Sequence, residues 1–261
     1  MIDGVVLDLV RHAETFQAVL SYVPSLQDAR PWRLRVTTAA VELHADPARR
    51  LADADPDQRQ LHLGLGAALY ALRLAVADLR RDTRLELLPD PARPTLVARL
   101  EVVGRRDPTE VEHALLHQVH LRQTVGAPFG AGQEPVTRAV QAVLAGHAAA
   151  EGVLLRWVSR ADEGRPVAAV LAEAGPSWLV GPVGLTGVLV TADDRAADWL
   201  TGGQALMRVL LAASAEGLAS VQLPRPIERP ELRDRLTDIL RLARWPQLVL
   251  QFGYPAAAPR R

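Results

Sequence analysis

"LGLGAALYALRLAVA" (residues 63–77) and "LTGGQALMRVLLAAS" (residues 200–214) align without a gap. Leu63 falls with Leu200, Gly66 with Gly203, Ala68 with Ala205, Leu69 with Leu206, Leu72 with Val209, Leu74 with Leu211 and Ala75 with Ala212. Both runs carry apolar residues at helical spacing, and each leads into a short strand-like run ending in proline, at Pro89 and Pro224. Glycine and alanine at matching positions would let two equivalent helices approach closely about a pseudo-twofold axis. Two readings stay open at this point: a duplication within one chain, or two helices alike only because the whole composition favours alanine and leucine.

Outward from these helices the chain alternates helix and strand without a clean βαβ repeat. Residues 4–22 have helical periodicity and stop before Pro24; Leu34–Val36 and Val41–Leu43 alternate like a hairpin. Asp55 before Pro56 predicts an N-cap with proline at the first helical position, opening the first long helix. "RLELL" and "TLVARLEVVG" are strand candidates. Helices are expected over "EVEHALLHQV" and "EPVTRAVQAVLAGHA", and strands over "VLLRWV" and "TGVLVTA". A helix over 196–218, a strand "SVQLP", a helix over 230–242 and a strand "QLVLQFG" complete the pattern. Such an order predicts an α+β fold.

The 261 residues are 49% hydrophobic, ample for a sizeable core, and the formal net charge is zero. That balance lacks the electrostatic footprint of nucleic-acid or membrane-surface binding. Paired arginines (Arg49-Arg50, Arg80-Arg81, Arg105-Arg106) read as solvated faces. Lysine, asparagine and cysteine do not occur, so disulfides, thiolate nucleophiles and cysteine-ligated metals are excluded. The N-terminal run shows no basic leader with a small-residue cleavage site, and no apolar run reaches the roughly 20 residues of a membrane span. A cytoplasmic location is the expectation.

"GLGAAL" (64–69) partly matches a dinucleotide-binding glycine loop, with Glu86 downstream, but it follows polar residues that already begin a helix where a buried strand is required. Those glycines read as helix-packing residues. His113, His117 and His120 fall at i, i+4 and i+7 and would share one helix face. Zinc sites draw ligands from more than one element, so this face reads as polar surface or interface, and no metal is expected.

What remains is "PSLQDARPW" (24–32), "RQLHLGLGAAL" (59–69), "LRQTVGAPF" (121–129), "WLTGGQALMRVLLAASAEGLASVQL" (199–223) and "PQLVLQFGYPAAAPRR" (246–261). In order and spacing these resemble the Acg-like branch of the nitroreductase superfamily, flavoproteins common in actinobacteria, over nearly the whole chain. The resemblance implies a nitroreductase-like α+β fold with two pseudo-equivalent halves, 1–108 and 109–261, similar to a dimer fused in one chain. A short segment at about 159–185 would cover the cofactor. It further implies FMN as cofactor and NAD(P)H as electron donor, passing electrons to a nitroaromatic, quinone or similar small-molecule acceptor. The cofactor carries such chemistry, so no catalytic side chain is assigned.

By the same resemblance Ser25, Asp28, Arg30, Trp32, Gln60, Arg122, Arg260 and Arg261 would surround the cofactor. The chain departs from the family there. Asp28 stands for an asparagine and Arg30 for a glutamine; Val125, Gly126 and Ala127 replace an asparagine and two arginines, and Gln251 replaces an arginine. A carboxylate only accepts hydrogen bonds where an amide also donates, and it is costly to bury unpaired. Two expectations follow: an FMN-dependent oxidoreductase, or a relative that has lost the flavin and serves as a binding, sequestering or partner protein. Neither nucleic acid nor membrane is expected as partner, and the chain would be a monomer with an internal pseudo-dimer, or a homodimer.

Overall fold

The computed structural model describes residues 9–122, 135–175 and 185–255. In chain order the elements are α1 (Ala13–Ser21), β1 (Trp32–Val36), β2 (Ala40–Ala45), α2 (Arg59–Asp78), β3 (Asp82–Leu87), β4 (Leu96–Gly104) and α3 (Glu110–His117). They continue as α4 (Arg138–Ala149), β5 (Leu154–Trp157), α5 (Gly164–Ala174), β6 (Leu185–Thr191), α6 (Ala196–Ala215), β7 (Ala219–Leu223), α7 (Arg225–Glu228), α8 (Pro230–Leu240) and β8 (Trp245–Gly253). The chain forms two compact units: residues up to His120 with Arg195–Arg208, and Leu121–Asp194 with Val209 onward.

The first unit holds an antiparallel sheet in the order β1-β2-β4-β3. Its register sorts side chains cleanly. Leu34, Leu43, Ala98 and Leu87 pair across one face, as do Val36, Val41, Leu100 and Leu85. Arg35, Glu42, Arg99 and Glu86 run across the other face as a row of alternating charge. Alternation of this kind puts the apolar face on a core and turns the charged face outward, where Glu42 itself is buried beneath Arg35 and Arg93. The apolar face meets α2, whose residues from Leu63 to Leu72 are all buried.

The second sheet has the equivalent order, β5-β6-β8-β7, again antiparallel. Here the strands read as nearly continuous apolar runs because both faces are covered: Val188, Val190, Val221 and Val249 join one core cluster, and Leu189, Leu248, Leu250 and Phe252 are also buried. In each sheet an antiparallel pair is followed by a long helix and a second antiparallel pair, but in the second sheet α5 stands between β5 and β6, and α7 and α8 between β7 and β8.

Several sequence expectations shift. The first helical stretch opens as a 3₁₀ turn, Leu9–His12, before α1; α6 ends at Ala215 and α8 at Leu240. Pro56 lies in a turn, and α2 starts at Arg59 behind Gln58, whose φ of 61° is left-handed. Asp55 still caps the helix, from further back: Oδ1 accepts from the Gln60 N–H at 3.1 Å and Oδ2 from the Leu61 N–H at 2.8 Å. α2 is long and apolar enough to cross a membrane, against the expectation, but 89% of its apolar window is buried inside the protein. Within 159–185, the segment expected to cover a cofactor, α5 sets Val167, Val170, Leu171 and Ala174 into the core cluster beside Leu232 and Leu236 of α8. That i, i+3, i+4, i+7 stripe makes it a core helix.

Candidate functional site at the start of α2

Residues 24–32 fold into a tight loop held by its own polar groups. The Arg30 N–H donates to Ser25 Oγ at 2.9 Å, the Asp28 N–H to the Ser25 carbonyl at 3.1 Å and the Trp32 N–H to the Arg30 carbonyl at 2.8 Å. Gln27, Asp28 and Arg30 all take positive φ, of 50°, 53° and 46°. Left-handed backbone costs a non-glycine residue about 1–2 kcal/mol, so three in four positions mark a conformation fixed by its surroundings. Asp tolerates this region better than most residues, which is the physical reason it can stand at position 28.

Arg30 and Asp28 close on each other as a fork, Nε to Oδ1 at 3.0 Å and Nη2 to Oδ2 at 3.2 Å, with side chains 42% and 71% exposed. Trp32 is buried at the first position of β1. The loop lies on α2, where a Cβ on Gly64 would stand 3.8 Å from Ser25 Cβ. Gln60, one turn earlier on the same face, lines a recess of about 20 Å³ with Ala29, Pro31, Arg49, Leu51, Asp55 and Leu61. Its Nε2 is buried without a hydrogen-bond partner among the described residues.

A second stripe of α2 meets the first turns of α6. Arg59 lays its guanidinium over Trp199, 5.6 Å from the ring centroid, and the His62 imidazole lies 5.7 Å from the same ring. One turn further, Gly66 and Gly203 bring the helices into backbone contact. A Cβ on Gly66 would overlap the Leu200 carbonyl, and one on Gly203 would overlap the Leu63 carbonyl. The contact is reciprocal between the residues that align in sequence, Leu63 with Leu200 and Gly66 with Gly203.

The structure thus brings Ser25, Asp28, Arg30, Trp32 and Gln60 together in the first unit. Arg122 belongs to the second unit, and burial holds its guanidinium below the ordinary range. Arg260, Arg261, Val125, Gly126 and Ala127 lie outside the described residues. Gln251, in the second unit, is buried and donates to Thr186 Oγ1 at 3.3 Å. Arg59, His62 and Trp199 were not singled out from sequence. Their spacing with Leu63 and Gly66 was the available signal, since 59, 62, 63 and 66 make one helical stripe.

The three histidines share one side, though not one helix. α3 ends at His117, so His120 sits in the following turn, with its ring 5.5 Å from that of His117. All three line a cleft of about 360 Å³ with Tyr22 and Asp78, and His113 Nδ1 is 3.6 Å from Asp78 Oδ1. Among the described residues no three potential ligands gather closely enough to hold a metal.

No family profile matches the chain. Two Mycobacterium tuberculosis proteins, each named as a candidate NAD(P)H nitroreductase, do match it along nearly their full length. Rv3131 is 28% identical over 93% of this chain and 86% of its own; Acg is 25% identical over 91% and 89%. The chain is similar to these Acg-type proteins over nearly its whole length. Among solved structures, the NADPH:FMN oxidoreductase of Vibrio harveyi in complex with NAD+ superposes with a TM-score of 0.45, at 16% identity, over 57% of this chain and 71% of that one. The loop after α1 and the start of α2 hold two of the stretches on which the sequence resemblance rests, residues 24–32 and 59–69.

Proposed function

We propose that this Acg-like chain is an FMN-dependent NAD(P)H oxidoreductase that reduces a nitroaromatic, quinone or similar small-molecule acceptor. The observation that carries the reading is the likeness to NAD(P)H nitroreductase-named proteins across 93% of the chain. The donor set at the start of α2 fits such a cofactor. Two guanidiniums (Arg30, Arg59), an indole (Trp199) and a buried amide donor that meets no acceptor among the described residues (Gln60) suit a ligand that is planar, anionic and rich in acceptors.

When bound, FMN supplies the acceptance and delivery of a hydride or electrons. The protein's part is position. Ser25 pins the loop through its bond from the Arg30 N–H, Asp55 holds the first free N–H groups of α2, and Arg49 donates to the Arg30 carbonyl at 3.3 Å. Arg30 would meet the cofactor only by leaving Asp28, so the two compete for one guanidinium. Arg122, Arg260 and Arg261 complete the proposed cation set, on the family resemblance. The equivalent strand orders and the reciprocal Gly66–Gly203 contact support an internal duplication with halves 1–108 and 109–261, a single chain standing for a dimer. A cytoplasmic location completes the proposal.

Purified protein should show the visible absorption of a flavin, or bind added FMN saturably in the micromolar range or tighter and then oxidise NAD(P)H. Colourless protein that neither binds FMN nor oxidises NAD(P)H in its presence would end this reading.

A further inference from the structure

His62 is a titratable group that the cofactor reading leaves without a task. Its Nδ1 lies 2.7 Å from the Gln58 carbonyl oxygen. A carbonyl can only accept, so Nδ1 carries the proton and Nε2 of the neutral ring is left with a lone pair. Nε2 has no hydrogen-bond partner among the described residues. The ring is held in place from two sides, by that carbonyl and by Trp199, and it shares Trp199 with the Arg59 guanidinium. The stripe therefore offers, around one indole, a fixed acceptor and a fixed cation. Burial holds the imidazole below its ordinary range, opposed by the Gln58 carbonyl and the Asp55 carboxylate, so the neutral form prevails at neutral pH.

We propose that His62 is a specificity-determining residue whose Nε2 accepts a hydrogen bond from an amide-type N–H on the planar ring system of a ligand lying beside Trp199. Two ligands of the proposed reaction carry that group: the flavin, as its ring imide, and the nicotinamide, as its carboxamide. The inference rests on the oxidoreductase reading for its ligand, and on the Gln58 bond and the Trp199 contact for its geometry. Arg59 adds preference for an electron-rich or anionic ligand on the same ring. Ligands lacking the N–H are disfavoured because the acceptor would be covered and unpaired.

The test titrates FMN and NADPH separately onto the full chain, wild type, His62→Phe and His62→Gln, with unfolding curves recorded to confirm folded protein. Phenylalanine keeps the packing on Trp199 and removes the acceptor; glutamine restores an acceptor. For one of the two ligands, His62→Phe should weaken binding by about three- to tenfold, the range of a single hydrogen bond, and His62→Gln should recover most of it. The other ligand should be unaffected, which identifies the source of the N–H. Protonation removes the lone pair, and burial holds the imidazole below the ordinary histidine range, so wild-type affinity for the sensitive ligand should be constant above about pH 6.5 and fall only as the pH drops below that, and that of His62→Phe should not follow. Asp55 and Arg59, the charged groups beside the ring, are present in both proteins and cancel in the comparison.

Equal affinities in all three proteins would leave His62 as packing alone and overturn the proposal. Tighter wild-type binding in acid would overturn it too, assigning the ring to a phosphate as an imidazolium. Wild-type protein that binds neither ligand would defeat both the oxidoreductase reading and this inference, whereas binding insensitive to His62 defeats the inference only.

Discussion

Replacing Gly66 by alanine tests the contact on which the start of α2 is built. At an ordinary helical position the change stabilises a protein by about 0.5–1 kcal/mol, because glycine loses more backbone freedom on folding. At Gly66 the new methyl would stand 2.9 Å from the Leu200 carbonyl carbon and from Gly203 Cα, and closer still to the Leu200 oxygen. Carbon atoms prefer about 3.5–4.0 Å, so the helices must part by roughly 1 Å. The obstacle is backbone, which cannot rotate away as a side chain could. Overpacking of this kind costs about 1–3 kcal/mol, and the rigid partner places Gly66→Ala at the upper end, a net loss of about 2 kcal/mol after the propensity gain.

Gly146, within α4, supplies the control, since a Cβ there meets nothing within 4 Å. Gly146→Ala should raise the midpoint of thermal unfolding by roughly 1–4 °C and Gly66→Ala should lower it by roughly 4–8 °C, on the usual scale for chains near this length. Gly203→Ala should behave as Gly66→Ala does, and the double variant should cost less than the sum, because one separation of the helices relieves both clashes. The assay is thermal or urea unfolding followed by circular dichroism. Gly66→Ala as stabilising as Gly146→Ala would refute the close approach, and additive losses would refute its reciprocity.

Glu112 should carry acid-sensitive stability. Its carboxylate takes both Arg106 guanidinium nitrogens at 2.6 Å and closes a capping box with Thr109, and with Arg106 as the leading cause its pKa falls to about 2. A depressed folded value means the stabilisation is full above the unfolded value near 4.3 and is lost as pH falls towards 2; Glu112→Gln should cost about 1–2 kcal/mol at pH 7, after solvent screening, and almost nothing near pH 2, and an equal cost at both would contradict it. Asp28→Asn with Arg30→Gln should leave unfolding within about 1 kcal/mol of wild type, since the pair is exposed. By removing the Asp28 carboxylate and the ion pair that holds Arg30 away from a ligand, and restoring the two amides, it should tighten FMN binding in a flavin-fluorescence titration; unchanged affinity would move the restriction to other departures from the family.

The first sheet and the long helices were legible because their burial is one-sided and periodic. Charge on alternate residues of β1 to β4 encodes the pairing face, and matched glycines in α2 and α6 encode a close approach that no larger residue permits. The loop at 24–32 was legible only as a motif. Nothing in the letters Gln27, Asp28 and Arg30 announces positive φ, a conformation usually signalled by glycine, because here it is imposed by Ser25 Oγ and by the rest of the loop. α5 was hidden for a different reason. Its apolar stripe at 167, 170, 171 and 174 was present, but Gly164 and Pro166 stand at its start and no side chain caps it, so the helix draws its stability from packing on α8 and the second sheet. His62 marks the same limit from the functional side. One histidine in an apolar helix reads as packing until the Gln58 carbonyl fixes its tautomer, and that bond exists only because left-handed Gln58 turns the chain into α2 where Asp55, three residues earlier, can hold its first turn.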